Sequence, residues 1–248
     1  MIKRLTPITI STIAFILGWH LFTRYSGIPN FILPSPLSVW TRFLKAVKDG
    51  SLIYHSSITL LEIVLGLLVG VIFATVVGYI LAKSRSLEKV LSPYLVASQA
   101  IPVIAIAPLL VIWLGDGILS KVVICALIVF FPVLVNTIVG VRAVPIALYD
   151  LMGSLHASRS QILLKVEVPA SLPVFLGGLR IGATLSVIGA IVGELVSAEQ
   201  GLGFLLQLGD FQYDTPMVFV AVFMLIALAL MLYGIVRLLE NKFLKWMN

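Results

Sequence analysis

Five runs without a charged side chain, residues 5–23, 63–82, 90–114, 122–141 and 217–236, dominate this chain of 248 residues. Each is close to the roughly 20 apolar residues with which a helix crosses a hydrocarbon core. A sixth run, 176–198, carries only Arg180 and Glu194, near its ends. An ordinary soluble domain is charged at about a quarter of its positions, whereas 11% are charged here and 60% are hydrophobic. An all-α membrane protein of about six transmembrane helices is expected. No polar stretch is long enough to fold as a second domain, and no repeat of half-chain size is visible, so residues 1–248 should form a single transmembrane domain.

The first run follows Lys3 and Arg4, as the apolar part of a cleaved leader does. Phe22, Thr23, Arg24 and Tyr25 come after it rather than a small-x-small cleavage site, so it is taken as a span. Six spans place both termini on one side. With that side inside, inner segments hold twelve lysines and arginines and outer ones hold five: Arg24, Arg42, Lys45, Lys48 and Lys121. This excess assigns both termini to the cytoplasm. The net charge of +6 therefore reports topology, and the scattered basic residues resemble no nucleic-acid module. Cys125 is alone, and His20, His55 and His156 stand in no metal-ligand spacing, so no metal site is expected.

Three segments depart from plain spans. Residues 35–49 place Leu37, Trp40, Phe43, Leu44 and Val47 at helical spacing, with Arg42, Lys45 and Lys48 elsewhere, as in a helix lying at the lipid interface. The third run contains Pro93, Pro102 and Pro108, so its helix should be bent and should pack among others or line a cavity. Residues 150–173, within the inner segment 142–175, are far longer than a connection between spans requires. They can form short helices over 148–155 and 158–166, separated by His156 and Ala157, with Pro169 ending the second. Ile162, Leu163 and Val166 give that second helix an apolar edge suited to a partner's groove.

Catalytic chemistry has no support. No Gly-Lys pair occurs, so the phosphate-cradling loop GxxxxGK[ST] is absent, and nucleotide, if it drives this protein, binds another chain. No nucleophile elbow or His-Glu-x-x-His helix is present either. An enzyme is not expected. Polar groups inside apolar spans are costly, which makes Gln99, Asn136, Ser186 and Glu194 candidates for a translocation path or for interhelical contacts, with Trp113 a possible stacking surface. Glu62 and Glu194 lie near span ends, where solvated positions are also open to them. Gly177, Gly178, Gly182, Gly189 and Gly193 suit close helix packing or pore lining.

The segment from Asp150 resembles the inner-membrane permease subunits of binding-protein-dependent ABC importers. Their signature reads Glu-Ala-Ala, three residues, Gly, nine residues, then Ile-x-Leu-Pro; Asp150, Leu151, Met152, His156, Val166, Val168 and Pro169 stand at those positions here. The flanking ASRSQ at 157–161 also resembles that family, and ILPSP at 32–36, SQAIPVIAIAPLLVIW at 98–113, FFPVLVNT at 130–137 and GLRIG at 178–182 are similar to its sulfonate, nitrate, taurine and bicarbonate permease group. TLLEIVLG at 59–66, with Glu62 where many of those carry Arg, leans toward the related branch for pyrimidine vitamin precursors and riboflavin.

The resemblance implies the type I ABC importer permease fold and an inner-membrane location. It also implies a second permease subunit, cytoplasmic ATPase subunits that bind ATP and Mg, and an extracytoplasmic binding protein that delivers cargo. Asp150, Leu151, Met152, His156, Ala157, Ser158 and Pro169 would then couple the ATPase to alternating access. The family glycine can adopt positive φ at the bend, and histidine tolerates that region better than most residues. A self-contained ion-coupled carrier is the competing class; it would need functional pairs of mid-membrane acids and no docking loop.

Overall fold

The computed structural model describes residues 2–197 and 199–245, and all of its regular structure is helical. Among the described residues four helices are long and apolar enough to cross a membrane, or five with one bent pair. The run expected over residues 5–23 is helical as α1 (Ile2–Tyr25), which is not one of those four; the side chains of its first residues, through 8, lie outside the described residues.

The chain divides into two compact units, residues 1–58 with 199–226 and residues 59–198 with 227–248. In the first unit, α1 is followed by α2 (Pro36–Lys48), whose start is fixed by Ser35: its hydroxyl accepts the Ser38 N–H at 3.2 Å, with Pro36 in the first turn. Val39 and Ala46 are buried while Leu37, Trp40 and Leu44 are exposed, so the apolar residues of α2 cover more than one face. Helices α3 (Ser51–Lys83) and α11 (Thr215–Phe243) each contribute to both units. Within the first unit, Arg42 pairs with Asp214 at 2.6 Å and Trp19 stacks on Phe219. The apolar helix α10 (Leu202–Phe211) was not foreseen; its ten residues are too few to span.

In the second unit, α6 (Ile118–Arg142) runs along α9 (Val168–Ser197). The glycines explain how closely. A Cβ on Gly178 would fall 2.5 Å from the Cβ of Asn136, and one on Gly70 of α3 would fall 2.8 Å from the Ala126 carbonyl, so α6 is gripped from two sides by glycine faces. The third run is more than bent. It is two helices, α4 (Arg85–Gln99) and α5 (Val103–Leu114), at 93°, because Pro102 cannot continue α4 and instead opens α5 as its N-cap.

The expected break at Pro169 does not occur. After α7 (Ile146–Ser154), α8 (Arg159–Ile162) passes through a π turn over Leu163–Glu167 into α9, making one helix of 39 residues. The Val168 N–H bonds to the Leu163 carbonyl, one residue farther back than an α-helix would reach. This widened turn accommodates the Pro169 ring, which would otherwise clash with the carbonyl four residues earlier. Arg180, expected near a span end, consequently lies well inside the helix, paired with Glu240 and over the ring of Tyr233.

Candidate functional site

The segment between α6 and α9 is built by local hydrogen bonds. At its entry, Arg142 closes the end of α3, donating through Nη2 to the Leu81 carbonyl at 3.1 Å while holding both carboxylate oxygens of Glu88 at 2.8 and 2.6 Å. This bidentate pair holds the end of α6 against the start of α4. Helix α7 ends in a Schellman turn: the His156 N–H bonds to the Gly153 carbonyl at 2.9 Å and the Ala157 N–H to the Met152 carbonyl at 3.0 Å. His156 takes the left-handed position of that turn with φ of 52°, where glycine is the usual occupant. The next residues open α8 with a reciprocal cap. Ser158 Oγ accepts the Gln161 N–H at 3.3 Å, and Gln161 Oε1 accepts the Ser158 N–H at 2.8 Å.

The far end is clasped to α3. Glu167, 2% exposed at the close of the π turn, accepts from Tyr79 Oη at 2.9 Å and pairs with Lys83. The Lys83 ammonium lies 5.2 Å from the centre of the Tyr149 ring and 5.6 Å from that of Tyr79. Partial burial, and then the negative charge of Glu167, raise the Tyr149 phenol above its ordinary value, so it stays a hydrogen-bond donor. Two anchors, Arg142 with Glu88 and Glu167 with Lys83, thus tie both ends of the segment to α4 and α3.

The coupling candidates fall together on this segment. Asp150, Leu151, His156 and Ser158 are exposed, Met152 and Ala157 are half-buried, and Pro169 lies in the first turn of α9. The apolar edge is not where it was expected. Val166 is buried and Ile162 and Leu163 turn partly inward, because the π turn rotates that face onto the helices. The exposed apolar side chains of the first short helix and its turn are Ile146, Leu151 and Leu155, at 77%, 54% and 67% exposure.

The path candidates do not converge. Ser186 is fully buried, its hydroxyl donating to the Ala183 carbonyl at 2.8 Å; Asn136 packs on Gly178 and donates to the Pro132 carbonyl at 2.8 Å. Glu194 accepts from Thr59 at 2.6 Å and is 0% exposed. Glu62, also buried, lies within hydrogen-bond reach of Glu194, so neither acid is at a solvated span end. Gln99 and Trp113 are exposed on α4 and α5. Composition gave no hint of Lys121, which is buried and donates to the Asp116 and Ser197 carbonyls, closing the end of α9. The Tyr79–Lys83–Glu167 clasp was equally hidden, although Tyr79 and Lys83 stand four residues apart, as two groups on one helix face do.

Comparison with known proteins identifies the family and the fold. Residues 66–245 match the binding-protein-dependent transport system inner membrane component family. The chain is 42% identical over 240 residues to the riboflavin transport system permease protein of Chloroflexus aurantiacus, covering 97% of this chain and 89% of that protein. It is 36% identical over 228 residues to the formylaminopyrimidine transport permease protein of Halalkalibacterium halodurans, covering 92% and 90%. To the taurine transport system permease protein of Escherichia coli it is 30% identical over 251 residues, covering 99% and 91%. In fold it is similar to a chain of the MetNI methionine ABC transporter in an inward-facing conformation, with a TM-score of 0.67 over 79% of this chain and 97% of that one, at 21% identity.

Proposed function

Because this chain belongs to the binding-protein-dependent transport system inner membrane component family, we propose that it imports a small organic solute of the riboflavin or pyrimidine-precursor kind. It is a multi-pass membrane permease of an ABC importer. Relatives at 42% and 36% identity carry riboflavin and formylaminopyrimidine in their names, and the acid at Glu62 leans the same way. The observation that carries the coupling role is the Asp150–Pro169 segment, whose Schellman turn at His156 and capping box at Ser158 present a preformed rigid shape to a partner.

Cytoplasmic ATPase subunits would seat on α7 through Ile146, Leu151 and Leu155, beside Asp150, and would themselves bind ATP and Mg. A second permease subunit completes the path, and an external binding protein delivers the cargo. Both termini and the coupling segment face the cytoplasm. Motion of the ATPase pair crosses the hydrogen-bonded turn at His156 and then passes from α8 to α9 along one helix.

Loading candidate binding proteins with riboflavin, formylaminopyrimidine or taurine and measuring stimulation of ATP hydrolysis by the assembled complex tests the cargo. Stimulation by either of the first two is expected. Stimulation by taurine alone would remove the vitamin assignment.

A further inference from the structure

Two chambers meet beneath the coupling segment. One, of about 380 Å³, is apolar and includes Thr75, Val76, Val141, Leu172 and Phe175 in its lining. The other, also about 380 Å³, is polar and includes Lys83, Tyr149 and Arg159. Tyr79 and Glu167 line both, so the two share a wall at which apolar surface changes to charge.

The charges at that boundary do not cancel. Lys83 is matched by Glu167, which leaves Arg159 in excess, exposed, and in none of the ion pairs among the described residues. The position matches a membrane boundary as well. Helix α3 ends at Lys83, just past its apolar run, so on the topology proposed above the polar chamber faces the cytoplasmic boundary and the apolar one the hydrocarbon side. Lys, Arg and Tyr are the residues that settle at headgroup level. A soluble anion has no use for the apolar chamber, and a neutral hydrocarbon has none for Arg159. The two together suit an amphiphile with a negative head.

We propose that this double chamber binds one anionic phospholipid. Its phosphate lies against Arg159, beside Lys83 and the Tyr149 hydroxyl, and one acyl chain enters between Thr75 and Phe175. The bound lipid touches α3, α7 and the π turn together, stiffening the base from which the coupling segment projects.

The test uses the full chain in neutral detergent, with equimolar phosphatidylglycerol and phosphatidylcholine, and native mass spectrometry to count the lipid retained. One phosphatidylglycerol is expected in preference to phosphatidylcholine. Arg159→Gln should weaken phosphatidylglycerol about tenfold, the effect of one charge-assisted contact, and should narrow its preference over zwitterionic phosphatidylcholine. Thr75→Phe fills the apolar chamber and should weaken both lipids; Val76→Trp narrows the same chamber from an exposed position and carries the test if Thr75→Phe fails to fold. Equal retention of the two lipids, or phosphatidylglycerol binding that Arg159→Gln and the chamber variants leave unchanged, would overturn the proposal. Displacement of phosphatidylglycerol by inorganic phosphate would also overturn it, identifying a site for soluble anions instead.

Discussion

Replacing Gly189 by alanine probes how closely α6 and α9 approach. A Cβ there would lie 2.7 Å from the Cα of Cys125, 3.3 Å from its nitrogen and 3.2 Å from its sulfur. Carbon atoms settle at about 3.5–4.0 Å, and two of these three neighbours are backbone, so no rotamer change relieves the contact. The helices must part, at an overpacking cost of about 1–3 kcal/mol. Alanine also favours a helix over glycine by about 1 kcal/mol, which blurs the comparison with the natural chain. Gly177 removes that ambiguity: it lies on the same helix, and a Cβ there meets nothing within 4 Å. The propensity gain is common to both variants, so Gly189→Ala should be less stable than Gly177→Ala by about 1–3 kcal/mol, the packing cost alone. Equilibrium unfolding of the purified permease in sodium dodecyl sulfate, followed by circular dichroism and tryptophan fluorescence, measures the difference. Equal midpoints, or a more stable Gly189→Ala, would refute the close approach.

Other expectations concern the coupling segment. His156→Gly should keep coupled ATP hydrolysis intact, whereas His156→Val, forced into left-handed backbone at a cost of about 1–2 kcal/mol or more, should lower it. Ser158→Ala removes half of the reciprocal cap, worth about 0.5–2 kcal/mol, and hydrogen exchange at residues 160–162 should quicken. Lys83→Met leaves the buried Glu167 carboxylate bonded to the Tyr79 hydroxyl but without its cation, and should destabilise by about 1–3 kcal/mol; Glu167→Gln, which removes the charge itself, should cost less by thermal melting.

Local signals were legible where local chemistry decides. Residues 36–48 form a helix because Ser35 caps it and Pro36 opens it, both visible in sequence. The bend at His156 was equally visible, since the family spacing marks a glycine position and histidine can occupy it. Pro169 misled because a proline is read against an α-helical register, and the π turn that absorbs it depends on Glu167 turning inward to Lys83 and Tyr79, a contact across 84 residues. The same long range hid the burial of Glu62 and Glu194, which charge and span position alone place near a surface. The glycines of α9 were open between packing and pore lining; Gly178, Gly182, Gly189 and Gly193 all prove to face α6.

The central claim is that this permease moves cargo only when a separate ATPase drives the Asp150–Pro169 segment. Reconstituting the chain in liposomes with its binding protein, with and without the ATPase subunits and ATP, tests it most directly. Uptake is predicted only with the ATPase and ATP present, and is predicted to vanish when the coupling segment is deleted although the isolated ATPase still hydrolyses ATP. Uptake by the chain alone, driven by an ion gradient, would contradict the account.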